Sequence, residues 1–385
     1  MANVGVIGAG IGGLTFAAAM RRIAPDSRVE LFERDGSAFQ RAQGYAIGIK
    51  GDAGLSVLRD LDLDQALIAQ GAIKVGSFDF TDQRGRTLLS LPSSSEDRYT
   101  TYRVQRNALK SVLLGEVDPG TIQFGHELVS VENADDHVTC SFADGSRRTF
   151  DYLVAADGVN SIARQTFRGD DPRYLGLTAI YGDAAVPATH PLLAGGYFMT
   201  LGDNGASFFA YPQPGGTVHF SYTMPTEEAE TYSTQPSAEL VEHLRAETAD
   251  WHELVRSIAA AADSATIGVR RYFDREPLPT VRYGRVWLIG DAAHPMAPFQ
   301  GQGANTGMLD AARLAEWFAA LDHDPTASEV LAGVIDKEIV GRGRKAVTES
   351  RDAAARYHVK SHVRQAFRNN SFRIGNFFIR LFNRN

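Results

Sequence analysis

The pattern of apolar and turn residues at the N-terminus runs in the order strand, glycine-rich turn, helix, strand. Residues 4–7 are apolar apart from Gly5, as expected of a strand buried on both faces. Glycines dominate residues 8–13, a helical pattern continues to Ile23, and a break at Pro25 precedes a second apolar run, residues 29–32. This order predicts a βαβ unit. Residues 36–73, which follow it, are expected to form a loop and then a short amphipathic helix.

Strands of the same buried type recur far along the chain. We predict parallel strands at residues 3–7, 28–33, 152–156 and 285–289. Between them, alternation predicts a hairpin within residues 77–91 and an antiparallel sheet over residues 178–224. The expected fold class is α/β, with a discontinuous Rossmann-like nucleotide-binding domain, an antiparallel-sheet substrate domain and a C-terminal helical segment.

Domain boundaries are placed where the pattern changes. The nucleotide-binding domain is predicted to comprise residues 1–73, 102–173 and 281–345. The substrate domain is predicted to comprise a hairpin at residues 74–101 and a sheet at residues 174–280. Residues 346–385 are predicted to form C-terminal helices.

The C-terminal segment differs from the rest of the chain in charge. The formal net charge is −7, but residues 351–385 contain eight Lys or Arg and a single acid, Asp352. Phe377, Phe378, Leu381 and Phe382 are predicted to share a helix face. We expect a helix docked across the two domains with solvated arginines; an anionic membrane or a nucleic acid is the alternative partner.

Composition excludes several classes of protein. The one cysteine, Cys140, allows no intrachain disulfide and no cysteine-rich metal site. The chain reaches an apolar strand without the features of a signal peptide, and no window approaches the roughly 18 apolar residues of a membrane span. We expect a cytoplasmic monomer or dimer without a metal site and without nucleic-acid partners.

The first glycine turn carries a nucleotide-binding pattern. Residues 8–13 fit G-x-G-x-x-G: Gly8 permits the tight turn, Gly10 lets a pyrophosphate approach the backbone, and Gly13 lets the helix pack on the strand. Glu33 ends the second strand and is placed to bind ribose hydroxyls. Because an acid there disfavours a 2′-phosphate, we expect NAD or FAD as the resident nucleotide; a glycine turn without a ligand is the alternative.

Two further motifs follow buried strands. Residues 157–164 read D-G-x-x-S-x-x-R; residues 290–295 read G-D-A-A-H-P and lead through Pro298 to a helix start at 301–305. With the glycine turn, this trio resembles the class A flavoprotein monooxygenases, whose archetype is para-hydroxybenzoate hydroxylase. The resemblance covers roughly residues 1–345, and residues 290–310 are most similar to the tetracycline-inactivating monooxygenases.

The resemblance implies a flavoprotein monooxygenase that binds FAD non-covalently and oxidises NADPH or NADH. It would insert one oxygen atom of O2 into a small aromatic or polyketide-like substrate through a flavin C4a-hydroperoxide. The cofactor carries this chemistry, while the protein supplies position, electrostatics and exclusion of water. A helix start aimed at the reduced flavin would stabilise its negative charge by roughly 0.3–2 kcal/mol.

The predicted cofactor-binding residues lie at strand ends, glycine turns and helix starts. They are Gly8, Gly10, Ile11, Gly13, Glu33, Arg34, Arg41, Arg106, Asp157, Asp291, Pro298, Gly301, Gln302, Gly303, Ala304 and Asn305. Arg41 and Pro298 are also the predicted catalytic residues. A solvated surface arginine is the alternative for Arg41 and Arg106, and a turn cap for Asp157. We expect His294 to be buried and hydrogen-bonded rather than catalytic.

The substrate is expected to lie between the flavin and the antiparallel sheet. The candidate substrate-binding residues lie on its strands; they are Tyr181, Met199, Phe209, Tyr211, His219 and Tyr222. Core packing is the alternative for each of them. Met199 stands where the tetracycline-modifying enzymes are expected to have a glutamine, which argues against tetracycline as the substrate.

Two other functions compete with the monooxygenase. A flavin-dependent halogenase is disfavoured because its Trp-x-Trp-x-Ile-Pro signature is absent. A non-catalytic carrier or regulator with an FAD-type fold, similar to the GDP-dissociation inhibitors, is the alternative of a different class. Asp291 and the flavin-facing loop argue against it.

Overall fold

The computed structural model describes residues 2–40, 46–93, 100–187, 189–194, 196–227, 230, 232–321 and 325–382. Among these residues, no helix has both the length and the apolar content needed to cross a membrane. The chain divides into two compact units. Unit 1 comprises residues 1–73, 97–172 and 274–350, and unit 2 comprises residues 74–96, 173–273 and 351–385.

The elements are numbered in chain order. The strands are β1 (Asn3–Ile7), β2 (Arg28–Glu33), β3 (Ala46–Lys50), β4 (Ile73–Lys74), β5 (Ser77–Asp82), β6 (Thr87–Pro92), β7 (Thr101–Gln105), β8 (Ile122–Phe124), β9 (Leu128–Asn133), β10 (Val138–Phe142), β11 (Arg147–Phe150), β12 (Tyr152–Ala155), β13 (Arg173–Ala184), β14 (Gly196–Leu201), β15 (Ser207–Pro212), β16 (Val218–Pro225), β17 (Gly268–Asp274), β18 (Arg282–Tyr283) and β19 (Val286–Leu288). The helices are α1 (Ile11–Ile23), α2 (Gly54–Asp60), α3 (Asp64–Ala69), α4 (Arg106–Leu114), α5 (Ile162–Phe167), α6 (Pro191–Ala194), α7 (Ser237–Glu247), α8 (Glu253–Ala260), α9 (Gly303–Leu321), α10 (Pro325–Tyr357) and α11 (His362–Phe382).

Unit 1 is built on a six-stranded sheet in the order β18-β19-β12-β1-β2-β8. The strands from β19 to β8 run parallel, and their apolar runs are buried because α1 and α9 pack together against the sheet. The predicted α/β class with a discontinuous Rossmann-like domain is confirmed. The carboxyl ends of β19, β12, β1 and β2 therefore meet at one edge, where ligands bind in folds of this class.

Unit 2 is built on a seven-stranded sheet in the order β17-β13-β16-β15-β14-β5-β6. Most neighbouring strands pair antiparallel, while β14 and β5 run parallel. Side chains of one parity pack against α7 and α8 in a separate core around Trp251, Phe208 and Phe220. The predicted C-terminal helices are present as the end of α10 and as α11. Helix α11 packs on β6.

One strand pair differs from the sequence prediction. Residues 36–73 were expected to form a loop followed by a short helix, but residues 46–50 form β3, which pairs antiparallel with β7. The partner strand lies more than 50 residues away in sequence. Pairing at that distance leaves no local turn signal, which is why the short run Ala46–Lys50 is not recognisable as a strand.

Trp317 anchors the contact between α9 and the sheet of unit 1. Its ring lies 5.3 Å from the ring of Trp287 and 5.1 Å from that of Tyr152, and its Nε1 donates a 2.8 Å hydrogen bond to the Ser328 carbonyl. Trp317→Ala is therefore expected to lower the free energy of unfolding by about 3–5 kcal/mol. Urea unfolding measures this loss. The control Val330→Ala, at a side chain 71% exposed on α10, is expected to change it by less than about 0.5 kcal/mol; equal losses would contradict this assignment of the core.

Candidate active site

The first glycine turn joins β1 to α1. Gly8 has φ +100°, and a Cβ there would lie 2.4 Å from the Ala156 carbonyl oxygen; a Cβ on Gly13 would lie 2.0 Å from the Gly8 carbonyl oxygen. A side chain at either position would clash with the backbone, so both positions require glycine whether or not a ligand is bound. Gly10 differs, since its Cβ would meet no atom within 4 Å. The backbone at Gly10 faces open space, which is where a pyrophosphate would approach.

The first turn of α1 is prepared for an anion. The N-cap residue is Gly10, no side chain caps the helix, and the first turn contains no acid. The first hydrogen bond within the helix runs from Leu14 N–H to the Gly10 carbonyl. The N–H groups of Ile11, Gly12 and Gly13 precede it and have no carbonyl of the helix to bond to. Unpaired amides and the helix dipole favour phosphate at this position.

Glu33, the last residue of β2, holds the glycine turn from the side. Its Oε2 accepts a 2.8 Å hydrogen bond from Ala9 N–H, and its Oε1 accepts a 3.0 Å bond from Asp35 N–H. The carboxylate therefore lies beside the glycine turn, where an acid is expected to meet the ribose hydroxyls of a bound nucleotide. Arg34 is exposed beyond the strand end, and Arg41 lies outside the described residues.

Asp157 follows β12 and has two different oxygens. Oδ2 accepts a 2.8 Å hydrogen bond from Ile162 N–H at the start of α5, which is the capping role. Oδ1 is buried and meets no donor of the described residues at hydrogen-bonding geometry; burial raises the pKa of this carboxyl, while the Ser161 hydroxyl and nearby backbone N–H groups act in the opposite direction. A buried acceptor without a donor is costly. Oδ1 is thus suited to receive a donor from a bound molecule.

Arg164, the last residue of the D-G-x-x-S-x-x-R motif, was missed as a site residue by the sequence analysis. Its side chain is 1% exposed and forms a bidentate pair with Asp170 at 2.8 and 2.5 Å. Nη1 donates to the Ala293 carbonyl at 2.7 Å and Nη2 to the Glu276 carbonyl at 2.8 Å. Arg164 therefore joins the helix after Asp157 to the turn that contains Asp291. The signal in the sequence that could have identified Arg164 was its position as the last residue of this motif.

Asp291 lies in a short 3-10 turn, Gly290–Ala292, directly after β19. Its side chain is accessible to water, yet desolvation by the surrounding protein raises the pKa of its carboxyl, against the opposing charges of His294 and Arg106. The carboxylate is thus accessible although many protein atoms surround it. A Cβ on Gly303 would lie 3.6 Å from Asp291 Oδ1, so the start of α9 and the charge of Arg106 converge on this carboxylate.

In the loop before α9, the backbone rather than the side chains is available to a bound molecule. Pro298 begins a second 3-10 turn, Pro298–Gln300, and Gly301 has φ +60° with open space around it. Pro298 and Gly301 are exposed. Gln302 donates a 2.6 Å hydrogen bond to Glu349. Ala304 packs against the core of unit 1, so the loop is anchored at its end and open at its tip.

Asn305 has a structural side chain. Its Oδ1 accepts hydrogen bonds from the N–H groups of Lys50 and Gly54 at 2.9 and 3.1 Å. Its Nδ2 donates to the carbonyls of Gly48 and Gly301 at 2.8 and 3.0 Å. These four bonds use the amide fully. The side chain thus holds the loop against β3, and the cofactor-binding role predicted for residue 305 would fall to its backbone N–H.

Lys50, the last residue of β3, was also missed by the sequence analysis. Its Nζ donates a 3.1 Å hydrogen bond to the Gln300 carbonyl in the loop before α9. Burial lowers the pKa of Lys50, while the charges of Asp52 and Glu349 act in the opposite direction. Because its partner strand is distant in sequence, no local pattern places this cation beside the loop.

His294, as predicted, is buried and hydrogen-bonded. Its Nε2 lies 2.5 Å from Asp310 Oδ2, and Asp310 Oδ1 accepts a 2.9 Å hydrogen bond from Arg342 Nε. Burial alone would lower the pKa of His294, but the charge and hydrogen bond of Asp310 raise it. Burial would likewise raise the pKa of Asp310, but His294 and Arg342 lower it. We therefore describe the three groups as a buried ionic chain beneath the Asp291 turn.

The candidate substrate residues of unit 2 do not share a single face. His219 on β16 pairs with Asp183 on β13 and Tyr211 on β15, and its Nδ1 lies 2.7 Å from Asp183 Oδ1. Met199 on β14 pairs with Phe209 on β15, and Phe209 lies two residues before Tyr211, so both share the face of Tyr211. Tyr181 lies two residues before Asp183 and so shares this face. Five of the six candidates therefore lie together, on a face rich in aromatic rings.

Tyr222 is the exception: its candidacy as a substrate-binding residue is corrected to core packing, the alternative given for each candidate. It has the opposite parity on β16, so it points to the other face of the sheet. There its ring lies 5.9 Å from that of Trp251, and its hydroxyl donates a 3.2 Å hydrogen bond to Glu247. Burial raises the pKa of this phenol. Tyr222 belongs to the core between the sheet and α8.

The stabilisation that His294 provides is expected to depend on pH. Its folded-state pKa is raised above the ordinary 6.5, so the stabilisation is fully present below pH 6.5 and is lost as pH rises through the folded-state pKa. The difference in unfolding free energy between the wild type and His294→Gln should therefore shrink with rising pH. Urea unfolding at a series of pH values from 5.5 upward measures it. A difference that is constant, or that grows with pH, would contradict the ionic chain.

Known proteins resemble the chain over nearly its whole length. The family model described as FAD binding domain matches residues 1–332. The chain is 32% identical to 3-amino-4-hydroxybenzoate 2-monooxygenase PtnB3 of Streptomyces platensis, over 96% of this chain and 92% of that protein. It is 29% identical to 6-hydroxynicotinate 3-monooxygenase of Bordetella bronchiseptica, over 82% of each.

A solved structure shows the same fold. HpxO of Klebsiella pneumoniae, complexed with FAD and uric acid, gives a TM-score of 0.83 at 24% identity, with 96% of this chain and 92% of that chain covered. The predicted resemblance is thereby confirmed, while the closer similarity to tetracycline-inactivating enzymes stays a prediction. The chain belongs to the FAD binding domain family, within the class A FAD-dependent aromatic monooxygenases.

Proposed function

We propose that the chain is an FAD-dependent monooxygenase that consumes NADPH or NADH and O2 to hydroxylate a small aromatic substrate. The observation that carries the proposal is the group of features at the carboxyl ends of β1, β12 and β19 in unit 1. Open backbone at Gly10, an unpaired buried oxygen on Asp157 and an accessible, crowded carboxylate on Asp291 lie along this edge. A dinucleotide with hydroxyl groups would satisfy all three.

The residues fit FAD in a definite order. The pyrophosphate would lie at Gly10 and the uncapped start of α1, and Glu33 would bind the ribose hydroxyls. Asp157 Oδ1 and Asp291 would accept hydrogen bonds from the remaining sugar or ribityl hydroxyls. The start of α9 would face the flavin, where its dipole stabilises negative charge. Bound FAD would supply the hydride acceptor and the oxygen chemistry that the family resemblance implies.

The substrate class proposed is a hydroxylated aromatic or heteroaromatic ring. The two relatives are named for an aminohydroxybenzoate and a hydroxynicotinate, which are both planar, hydroxylated acids. In unit 2 the rings of Tyr211 and His219 lie 5.2 Å apart, and Phe209 continues the same face. Aromatic side chains pack well against a planar ring, and the His219–Asp183 pair adds a polar group that can bind a ring hydroxyl.

The proposal is tested by spectra and product analysis of the purified protein. Flavin absorbance is recorded first, and oxidation of NADPH and NADH is then followed with aminohydroxybenzoates, hydroxybenzoates and hydroxynicotinates under 18O2. The expected result is substrate-dependent oxidation with one labelled oxygen in the product. Catalase and a peroxide assay separate this from uncoupled oxidation. A colourless protein that does not take up added FAD would contradict the proposal and favour the non-catalytic carrier.

Gly10→Leu is expected to remove FAD binding without unfolding the chain. The added side chain enters space that no atom of the chain occupies within 4 Å, so it should obstruct only the pyrophosphate. We expect the dissociation constant of FAD to rise at least about 100-fold, measured by titration calorimetry on deflavinated protein. The control Gly333→Leu on α10 also meets open space and should bind FAD normally. Unchanged FAD affinity in Gly10→Leu would show that the pyrophosphate does not bind at this turn.

Lys50→Met is expected to lower the reduction potential of bound FAD. The change removes a positive charge that is bonded to the flavin-facing loop at Gln300, and that charge would favour the anionic reduced flavin. We expect a decrease of at least about 30 mV, which corresponds to about 1.4 kcal/mol for two electrons. Spectroelectrochemical titration measures it. Lys50→Arg keeps the charge and should recover most of the potential; an equal decrease in both variants would assign Lys50 a purely structural role.

A further inference from the structure

The outward face of helix α11 in unit 2 is apolar. Six large side chains lie along it, each between 50% and 80% exposed. We call them the α11 stripe; they are Val363, Phe367, Ile374, Phe377, Phe378 and Leu381. Contiguous apolar patches of this size are uncommon on a monomer surface and mark sites of association.

The inward face of α11 is largely polar. Gln365 Nε2 donates a 2.8 Å hydrogen bond to the Asp203 carbonyl, Arg368 Nη1 donates a 2.9 Å bond to the Tyr357 carbonyl, and Asn376 Oδ1 accepts a 3.1 Å bond from Ser90 N–H. The expected docked helix and the exposed side chain of Arg373 are present, but Phe377, Phe378 and Leu381 do not form the docking face, because they point outward. The side chain of Phe382 lies outside the described part. The α11 stripe is therefore exposed on the surface of unit 2.

The spacing of the stripe is that of a helix-pairing seam. Positions 363, 367, 370, 374, 377 and 381 follow steps of four and three residues, which is the a/d pattern of paired helices. Asn370 occupies one of these positions and is exposed. An amide in the middle of the stripe would be costly to bury in lipid without a partner, whereas one polar seam residue is a common means of fixing the register of a helix pair.

The geometry points to a second copy of this chain as the occupant, and we propose that two α11 helices pair antiparallel about a two-fold axis beside residue 372. In that arrangement Val363 meets Leu381 of the second copy, and Phe367 meets Phe377. Asn370 would lie opposite Ile374, near its own symmetry mate across the axis. Every seam position thus finds a seam partner, as an isologous interface requires.

The charges beside the seam are compatible with this pairing. Arg364 would lie next to Phe378 of the second copy, where a guanidinium can stack on the ring. Arg373 would approach its own symmetry mate near the axis, but Asp82 lies 3.6 Å from it in the same unit and offsets the repulsion. The exposed apolar area of the stripe is about 700 Å² per copy, close to the roughly 800 Å² per partner of a standard interface.

The first test is the mass of the FAD-loaded, full-length protein in solution. Light scattering after size exclusion should give twice 41.9 kDa. Phe377→Asp should weaken dimerisation at least about 100-fold and give a monomer with unchanged circular dichroism, because it places a charge in the seam. Val330→Asp, at an equally exposed position on α10, should remain dimeric. A wild-type monomer at high concentration, or a dimer that Phe377→Asp does not weaken, would overturn the proposal.

The second test fixes the orientation. The chain has one cysteine, Cys140, which is buried, so a short bismaleimide reports only on introduced thiols. Ser371→Cys, beside the axis, should crosslink to its mate. Val363→Cys should not, because an antiparallel pair separates these positions by about 27 Å along the axis. Crosslinking of both would indicate a parallel pair and overturn the model. A monomer that sediments with phosphatidylglycerol vesicles through the stripe would instead identify a lipid surface.

Discussion

The buried guanidinium of Arg164 is the interaction on which the cofactor site depends. It pairs with Asp170 and donates to the carbonyls of Ala293 and Glu276, so one side chain joins two segments that are more than 100 residues apart. Loss of Asp170 would leave the buried guanidinium with an unpaired positive charge, which is destabilising. Arginine suits this place because its planar fork makes several directed bonds at once, which an ammonium cannot do. The turns that carry Asp157 and Asp291 are thereby held together as one rigid edge.

Two other constraints act on the same edge. Gly8 and Gly13 allow β1, α1 and the end of β12 to approach more closely than any side chain would permit. The ionic chain of His294, Asp310 and Arg342 fixes the turn after β19 from below, since Asp310 also accepts the Gly290 N–H. Asp310 uses both of its carboxylate oxygens on the chain itself. By contrast, the backbone at Gly10 faces open space, Asp291 is accessible, and the buried Asp157 Oδ1 has no donor among the described residues; these three features define the proposed site.

The sequence predicted what depends on local pattern. The βαβ start, the parallel strands and the family resemblance follow from apolar runs and glycine turns, and the predicted burial of His294 agrees with its ion pair. The sequence could not show that β3 pairs with β7, and so it missed Lys50. Tyr222 was included among the candidates because a run of aromatic residues does not reveal which parity faces the α7 and α8 core. Helix α11 was misread for a related reason: an amphipathic pattern gives two faces and does not say which one docks.

The most direct test of this account is the affinity of deflavinated protein for FAD after Arg164→Lys, measured by titration calorimetry. Arg285→Lys is the matched control, because Arg285 also bridges two carbonyls of unit 1, those of Asp135 and Asp151, away from the site. We expect Arg164→Lys to fold but to lose at least about tenfold in FAD affinity, while Arg285→Lys stays within about twofold. A folded Arg164→Lys protein with wild-type FAD affinity would contradict the claim that this arginine builds the cofactor site.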